Sequence, residues 1–334
     1  MDPAKHYSVL VIYVQYDQGK FQSSVAEFKR YFDRCRRGSF QYCIVDNKDE
    51  TRPAARLAPD EVVIGGDNSY REFSGWLRGI QYALRLERSP DAVMFANETY
   101  RLNAGEYRHC LTDELFEFVI GQSACAGLTY AFNSHRGWLR FVTHQPAMYK
   151  VKNEQFNHWV RSNVLILPYP VLQRLEWPQL RASEFFAEIY DQQPFRDDAP
   201  LSNNLKRMLR EYLCPTGGAV GRAAWHSSFT LTADNYGLFT TKATCILDEM
   251  SLVPAIRRTG AALVDIRAVH TFAHAPGPRE RMLRAYARLA SRFPAAHASL
   301  VFLCDRLARR AGIVAALASV PRRAQRVKHG RGAA

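Results

Sequence analysis

The sequence predicts an α/β fold built on a mostly parallel sheet flanked by helices, and three observations predict it. Short β-branched, apolar runs alternate with helical spacings through about the first 100 residues. Their order is strand, helix, strand, turn, strand, helix, strand, and parallel neighbours need such crossovers. Small polar residues close successive runs, at the carboxyl edge where open sheets of this class bind ligands.

Tyr7–Tyr16 is β-branched and apolar, which fits a buried strand. Phe21–Arg34 sets Phe21, Val25, Phe28 and Phe32 at helical spacing. Phe40–Val45 is a second strand and ends in Asp46-Asn47. Val62–Ile64 is a third and runs into the turn cluster Gly65-Gly66-Asp67-Asn68. Glu72–Leu86 reads as a helix with Phe73, Trp76, Ile80 and Leu84 on one face. Ala92–Ala96 is a fourth strand, followed by Asn97-Glu98-Thr99.

Farther on, Ala124–Phe132 and Trp138–Val142 read as strands, and Trp159–Leu175 as a strand entering a Pro-initiated helix. Phe185–Pro200 reads as irregular and Leu205–Leu213 as a short helix. Pro215–Gly221 is a loop without the Gly-Lys-Ser/Thr ending of a phosphate-binding P-loop. Lys242–Thr259 reads as a helix stopped by Gly260, and Ala262–Ile266 as a closing strand.

The net charge of +13 is concentrated at one end. Residues 279–334 hold 13 lysines and arginines against Glu280 and Asp305, a net +11, leaving +2 for the first 278 residues. A nucleic-acid enzyme spreads positive charge over its body, so no specific nucleic acid is expected. The division expected is a main unit over 1–275 and a basic helical extension over 276–334. Two helical stretches, Arg279–Arg292 and Ala298–Leu317, make up the extension, with Met282, Leu283, Tyr286 and Leu289 opposite the arginines. Such a stretch over 279–320 either lies on an anionic membrane surface or caps the domain, with disorder past Pro321.

Seven scattered cysteines with no CxxC pair argue for free thiols rather than a zinc ribbon or a disulfide framework. Tyr13, Gln15 and Tyr16 interrupt the first apolar run and no small-residue cleavage site follows. It is therefore expected to be a strand rather than a leader, which implies a cytoplasmic place, peripheral on the inner membrane if the tail binds lipid.

Several segments carry a family resemblance. They are CIVDN at Cys43–Asn47, GGDNSYREFSGWLRGI at Gly65–Ile80, DAVMFANETY at Asp91–Tyr100, VRSNVLILPYPVLQRLEW at Val160–Trp177, and TKATCILDEMSLVPAIRRTG at Thr241–Gly260. In this order they resemble the family-2 type glycosyltransferases of the GT-A fold. The combination of DNSYREFSGW, FANET and W-x-x-SN-x-L-I-L is closer still to glycosyltransferase-like proteins encoded with bacterial capsule, O-antigen and rhamnan synthesis. The resemblance implies inverting, metal-assisted transfer from a nucleotide-sugar donor to a glycan or lipid-linked glycan acceptor.

It also implies roles. Asp46, with Asn47, would bind the base, and Asp67 and Asn68 the nucleoside region. Asn97 and Glu98 stand where the family carries Asp-x-Asp, which holds Mg2+ or Mn2+ against the diphosphate. Glu249 or Asp248 would be the general base, and Arg257 a forked donor to the diphosphate. The sequence departs from the pattern in two ways. Ala96-Asn97-Glu98 lacks the first aspartate, and the interval from Glu98 to Glu249 is long, as an insertion at about 176–235 would make it. The missing aspartate motivates an alternative, a catalytically silent GT-A-like subunit for binding or assembly.

Overall fold

The computed structural model describes residues 6–16, 23–131, 148–215, 228–274 and 279–292. The expectations for Trp138–Val142, for most of Pro215–Gly221 and for Ala298–Leu317 lie outside the described residues.

An eight-stranded sheet organises the chain. Its strands are β1 (Tyr7–Gln15), β2 (Gly38–Asp46), β3 (Ala55–Ala58), β4 (Glu61–Gly65), β5 (Ala92–Asn97), β6 (Cys125–Ala131), β9 (His158–Pro168) and β12 (Leu263–Asp265). Two hairpins stand outside it, β7 (Tyr149–Val151) with β8 (Glu154–Phe156), and β10 (Phe186–Asp191) with β11 (Gln193–Phe195). The spatial order is β12-β6-β9-β5-β1-β2-β4-β3. The pairs β1–β2, β1–β5, β2–β4 and β6–β12 are parallel, whereas β9 runs antiparallel to both β5 and β6, and β3 antiparallel to β4. The mostly parallel α/β sheet flanked by helices is therefore present.

Helices cover both faces, as an apolar parallel sheet requires. On one side lie α1 (Ser24–Lys29), α3 (Ala104–Cys110), α4 (Asp113–Gln122), α8 (Ile266–His274) and α9 (Arg279–Arg292). On the other lie α2 (Glu72–Ala83), the turn α5 (Tyr169–Leu172) and the second half of α7 (Tyr236–Arg258). Helix α2 sits close on β1 because Gly75 and Gly79 face it: a Cβ at Gly79 would stand 2.1 Å from Ile12 Cγ2. Phe73 and Trp76 on that helix are buried, each contributing roughly 2–3 kcal/mol.

A third, smaller core joins the two hairpins, α6 (Asn203–Leu213) and the first half of α7. Tyr236, Phe239, Ala243 and Leu247 of α7 pack there, while Leu252, Val253 and Ile256 pack on the sheet. Asp248 and Glu249 stand at the changeover between the two cores.

Three readings need correction. Phe185–Pro200 is not irregular throughout, since Phe186 pairs with Phe195 across a hairpin. The helix expected from Lys242 begins at Tyr236, because its first turns bury aromatics in the small core rather than on the sheet. Helices α3 and α4 fill a stretch left without elements. The alternatives for the basic stretch narrow over 279–292. Leu283, Tyr286, Ala287 and Ala290 are buried in the sheet's core, and the Tyr286 hydroxyl accepts the Asp265 amide at 2.9 Å. Leu289 stays exposed, but the helix caps the domain and shares the core of the residues before 276. The six described cysteines, Cys35, Cys43, Cys110, Cys125, Cys214 and Cys245, are free thiols.

Candidate active site at the carboxyl edge of the sheet

The strand ends fall in register. Gln15 is opposite Asp46, Asp46 opposite Gly65, and Val14 opposite Asn97. Asp46, Asn47, Asp67, Asn68, Asn97 and Glu98 therefore line one edge, but their side chains do different work.

Over β2 and β4 the polar groups serve the loops. Asp46 is nearly buried and pairs with Arg52. Asn47 is fully buried. Its Nδ2 donates to the Arg71 carbonyl at 2.7 Å and to Asn68 Oδ1 at 3.2 Å, and its Oδ1 accepts the Asn68 amide at 3.2 Å. Asp67 is exposed and accepts from the Ser69 amide and hydroxyl at 3.0 and 2.9 Å, an Asx turn. Asn68 and Arg71 have φ of 53° and 54°. For arginine that left-handed conformation is strained, and the bonds from Asn47 and from Ser74 (3.0 Å) to its carbonyl hold it.

Next to this clamp, acidic side chains from three elements converge. The amide of Tyr16 donates to Glu98 Oε1, and the Tyr16 hydroxyl donates to Glu72 Oε2 at 3.2 Å. Burial, then the charge of Glu72, push the Tyr16 phenol well above its usual range, so it remains a donor. Glu72 Oε1 accepts the Ser162 hydroxyl at 3.1 Å, and the Ser162 amide donates to Glu249 Oε1 at 2.6 Å.

That amide is available because β9 is irregular there. Val160 is opposite Thr129 and Leu165 opposite Gly127, so Arg161–Val164 bulge against a single residue of β6. A bulge leaves ladder groups unpaired and re-aims side chains. The Ser162 carbonyl in turn accepts Asn97 Nδ2 at 3.4 Å.

The two adjacent acids of α7 differ. Asp248 is 1% exposed; its Oδ1 accepts the Leu180 amide at 2.9 Å and its Oδ2 is buried with no hydrogen-bond partner among the described residues. Glu249 keeps part of its surface in solvent. Burial pushes both carboxyls up to about 7; the neighbouring charge of Glu72 adds to this, and the Leu180 and Ser162 amides oppose it. Lys242, two turns before Glu249 on the same helix, is half-buried. Burial first and then the charge of Arg71 lower its ammonium's pKa, while Glu72 works the other way.

Of the residues expected to bind metal, neither is arranged for it. Asn97 caps the helical turn that follows it: its Oδ1 accepts the Thr99 amide at 3.0 Å and the Thr99 hydroxyl. Glu98 is 1% exposed and turned onto the Tyr16 amide. Among the described residues, no group of three or more His, Cys, Asp or Glu side chains is placed to hold a metal ion. The pair does not fit the hard-cation site that the Asp-x-Asp position implies.

Arg257 also stands apart. It lies eight residues beyond Glu249, about 12 Å along the helix, and the acid whose charge acts on it is Glu154. Arg258 pairs with the same Glu154 at 2.8 Å. Tyr16, Glu72 and Ser162, with Arg71 and Lys242 beside them, join the site without a motif that marks them in the sequence. The one sequence signal was Ser162-Asn163, a polar pair inside an otherwise apolar run.

No family model matches the chain, and no curated protein matches it. Among solved structures it is similar to a mannosyltransferase, PcManGT from Pyrobaculum calidifontis, in complex with GDP-Man and Mn2+. The identity is 10%, the match covers 88% of this chain and 83% of that chain, and the TM-score is 0.32. So remote a likeness carries no argument about ligands or chemistry. No described helix is long and apolar enough to cross a membrane.

Proposed function

We propose that the chain is a glycosyltransferase of GT-A type that moves a sugar from a nucleotide-sugar donor to a polysaccharide or lipid-linked acceptor, with Glu249 as general base. One observation carries the reading. A partly exposed glutamate, its carboxyl pushed up to about 7 by burial beside Glu72 and aimed by the Ser162 amide, stands at the edge where such sheets bind nucleotides. A base is most effective when its pKa lies near the working pH, and Glu249, the partly exposed member of the Asp248-Glu249 pair, is the one placed to meet a substrate hydroxyl.

The reaction is an inverting displacement. Glu249 takes the proton of the acceptor hydroxyl, the hydroxyl oxygen bonds the sugar's C1, and the C1–O bond to the diphosphate breaks with its electron pair leaving on that oxygen. Tyr16 and Ser162 hold Glu72 against Glu249, keeping the base basic. Asp46 and the Asn47-clamped loop carrying Asp67 and Asn68 take the nucleoside. Asp248 is a buried structural acid and Arg257 has no part. The motif order fits bacterial capsule, O-antigen or rhamnan assembly. The outward arginines Arg281, Arg284 and Arg288 give α9 a basic face toward an anionic membrane.

A panel of nucleotide sugars tested for thermal stabilisation checks this. At about 100 times its Kd a donor adds roughly 2.7 kcal/mol, a shift of several degrees. No shift from any member would sink the reading. A second reading, the silent binding or assembly subunit, draws on Asn97, which is spent on capping where the family has an aspartate. It requires that donors stabilise the protein yet remain intact in its presence.

A further inference from the structure

We infer that this site binds the donor diphosphate through the side chains of Arg71 and Lys242, without a divalent cation at Asn97-Glu98. The inference rests on the glycosyltransferase reading above and names how that site meets its substrate's charge.

A departing nucleoside diphosphate gains negative charge as the C1–O bond breaks, and something positive must face it. In the family resembled here that partner is a metal on two carboxylates. Here the corresponding oxygens face inward. Asn97 Oδ1 holds the Thr99 amide and hydroxyl, and Glu98 is sealed under the Tyr16 amide. Freeing Asn97 would uncap the turn at Glu98–Asn103, and turning Glu98 outward would strip the Tyr16 amide of its acceptor. Each loss costs on the order of 1–3 kcal/mol before any ion binds.

The same edge offers two cations instead. Arg71 comes from the loop before α2, and its backbone is fixed in the left-handed region by Asn47 and Ser74. That strain is sustained for a residue whose side chain is half-exposed beside Glu72, at a position where glycine would be at ease. Lys242 approaches from α7, seven residues before Glu249. Two helical turns place it on the same face, about 10 Å along the axis from the proposed base. Arg71, Lys242 and Glu72 lie within electrostatic reach of one another. One base and two cations on either side of a sugar's C1 is the layout a displacement needs. The guanidinium and ammonium meet the charge on the leaving diphosphate while Glu249 receives the acceptor's proton.

Calorimetric binding of UDP, GDP, CDP and dTDP to the full chain, in excess EDTA and then in excess Mn2+, tests this. The inference expects at least one nucleotide to bind equally under both conditions. Lys242→Gln and Arg71→Gly should each weaken that binding about tenfold or more. Arg71→Gly suits the backbone at φ 54°, so its melting temperature should hold or rise, separating lost binding from lost folding. Binding that appears only with Mn2+ would overturn the inference and leave the glycosyltransferase reading standing. Wild-type affinity in both variants would equally overturn it. Failure of every nucleotide under both conditions would overturn the inference and the function it rests on together.

Discussion

Two parts of the sheet's carboxyl edge carry similar residues and use them differently. Over β2 and β4, Asp46, Asp67 and Asn68 bond to groups within a few residues, or to the Asn47 clamp that ties the two loops together. Over β5 and β9, Glu98, Glu72 and Glu249 are joined through Tyr16 and Ser162 across 56 to 90 residues of sequence. Local partners satisfy a carboxylate and set it to shaping a loop. Distant partners crowd acids into one recess, where burial and mutual repulsion raise a pKa toward neutrality. Chemistry is to be sought in the second kind of neighbourhood and ligand-shaping loops in the first.

The sharpest way to break this contrast is Glu249→Gln. The amide keeps the shape and can still accept the Ser162 amide, but cannot take a proton. Transfer should fall about 100-fold or more at saturating donor, with little change in donor affinity. The wild-type rate should rise with pH through about 7, since the base acts ionised, and then level off. A variant with full activity would place the chemistry elsewhere.

Asn47→Ala tests the other region. It removes a fully buried side chain with bonds to Arg71 and Asn68, leaving the Arg71 carbonyl with Ser74 and the Asn68 amide without its acceptor. Stability should drop by about 1–3 kcal/mol in chemical denaturation, and the donor's KM should rise more than kcat falls. The opposite split, a large kcat loss with unchanged KM, would place Asn47 in the catalytic half.

The contrast also explains what the sequence discloses. Strands β1, β2, β4 and β5 and helix α2 follow from period and composition, because runs such as YSVLVIYVQ bury residues on both faces of the sheet. Strand β3, ARLA on an exposed edge, has no apolar pattern to read. The places of Asp46 and Asp67 at the sheet's edge are legible, since each follows closely on a short apolar run. Glu72 looked like any acid opening a helix, and Ser162 like a polar residue in a strand. Their meaning depends on a bulge in β9 and on α7 crossing between two cores, and neither is written in local periodicity. The Asp-x-Asp analogy points to the end of β5 but not to the use of its side chains, because capping by Asn97 is decided by the turn that follows.

The smallest predicted effect bears on how the two regions meet. Glu72 opens α2 directly after Arg71 and hydrogen-bonds both Tyr16 and Ser162, so it touches the loop clamp and the acid recess alike. Its charge is one cause of the raised Glu249 carboxyl. Glu72→Gln removes that repulsion while its side-chain oxygen can still accept one of the two hydroxyls. A like charge disfavours ionisation of its neighbour, so removing it must lower the pKa of Glu249 and move the acid limb of the rate profile to lower pH, by roughly half a unit to one unit. Activity near pH 6 should then rise relative to the plateau even if the plateau itself falls. A limb that stays in place would mean burial alone sets the base's pKa, and that the two regions are neighbours in space without being coupled in chemistry.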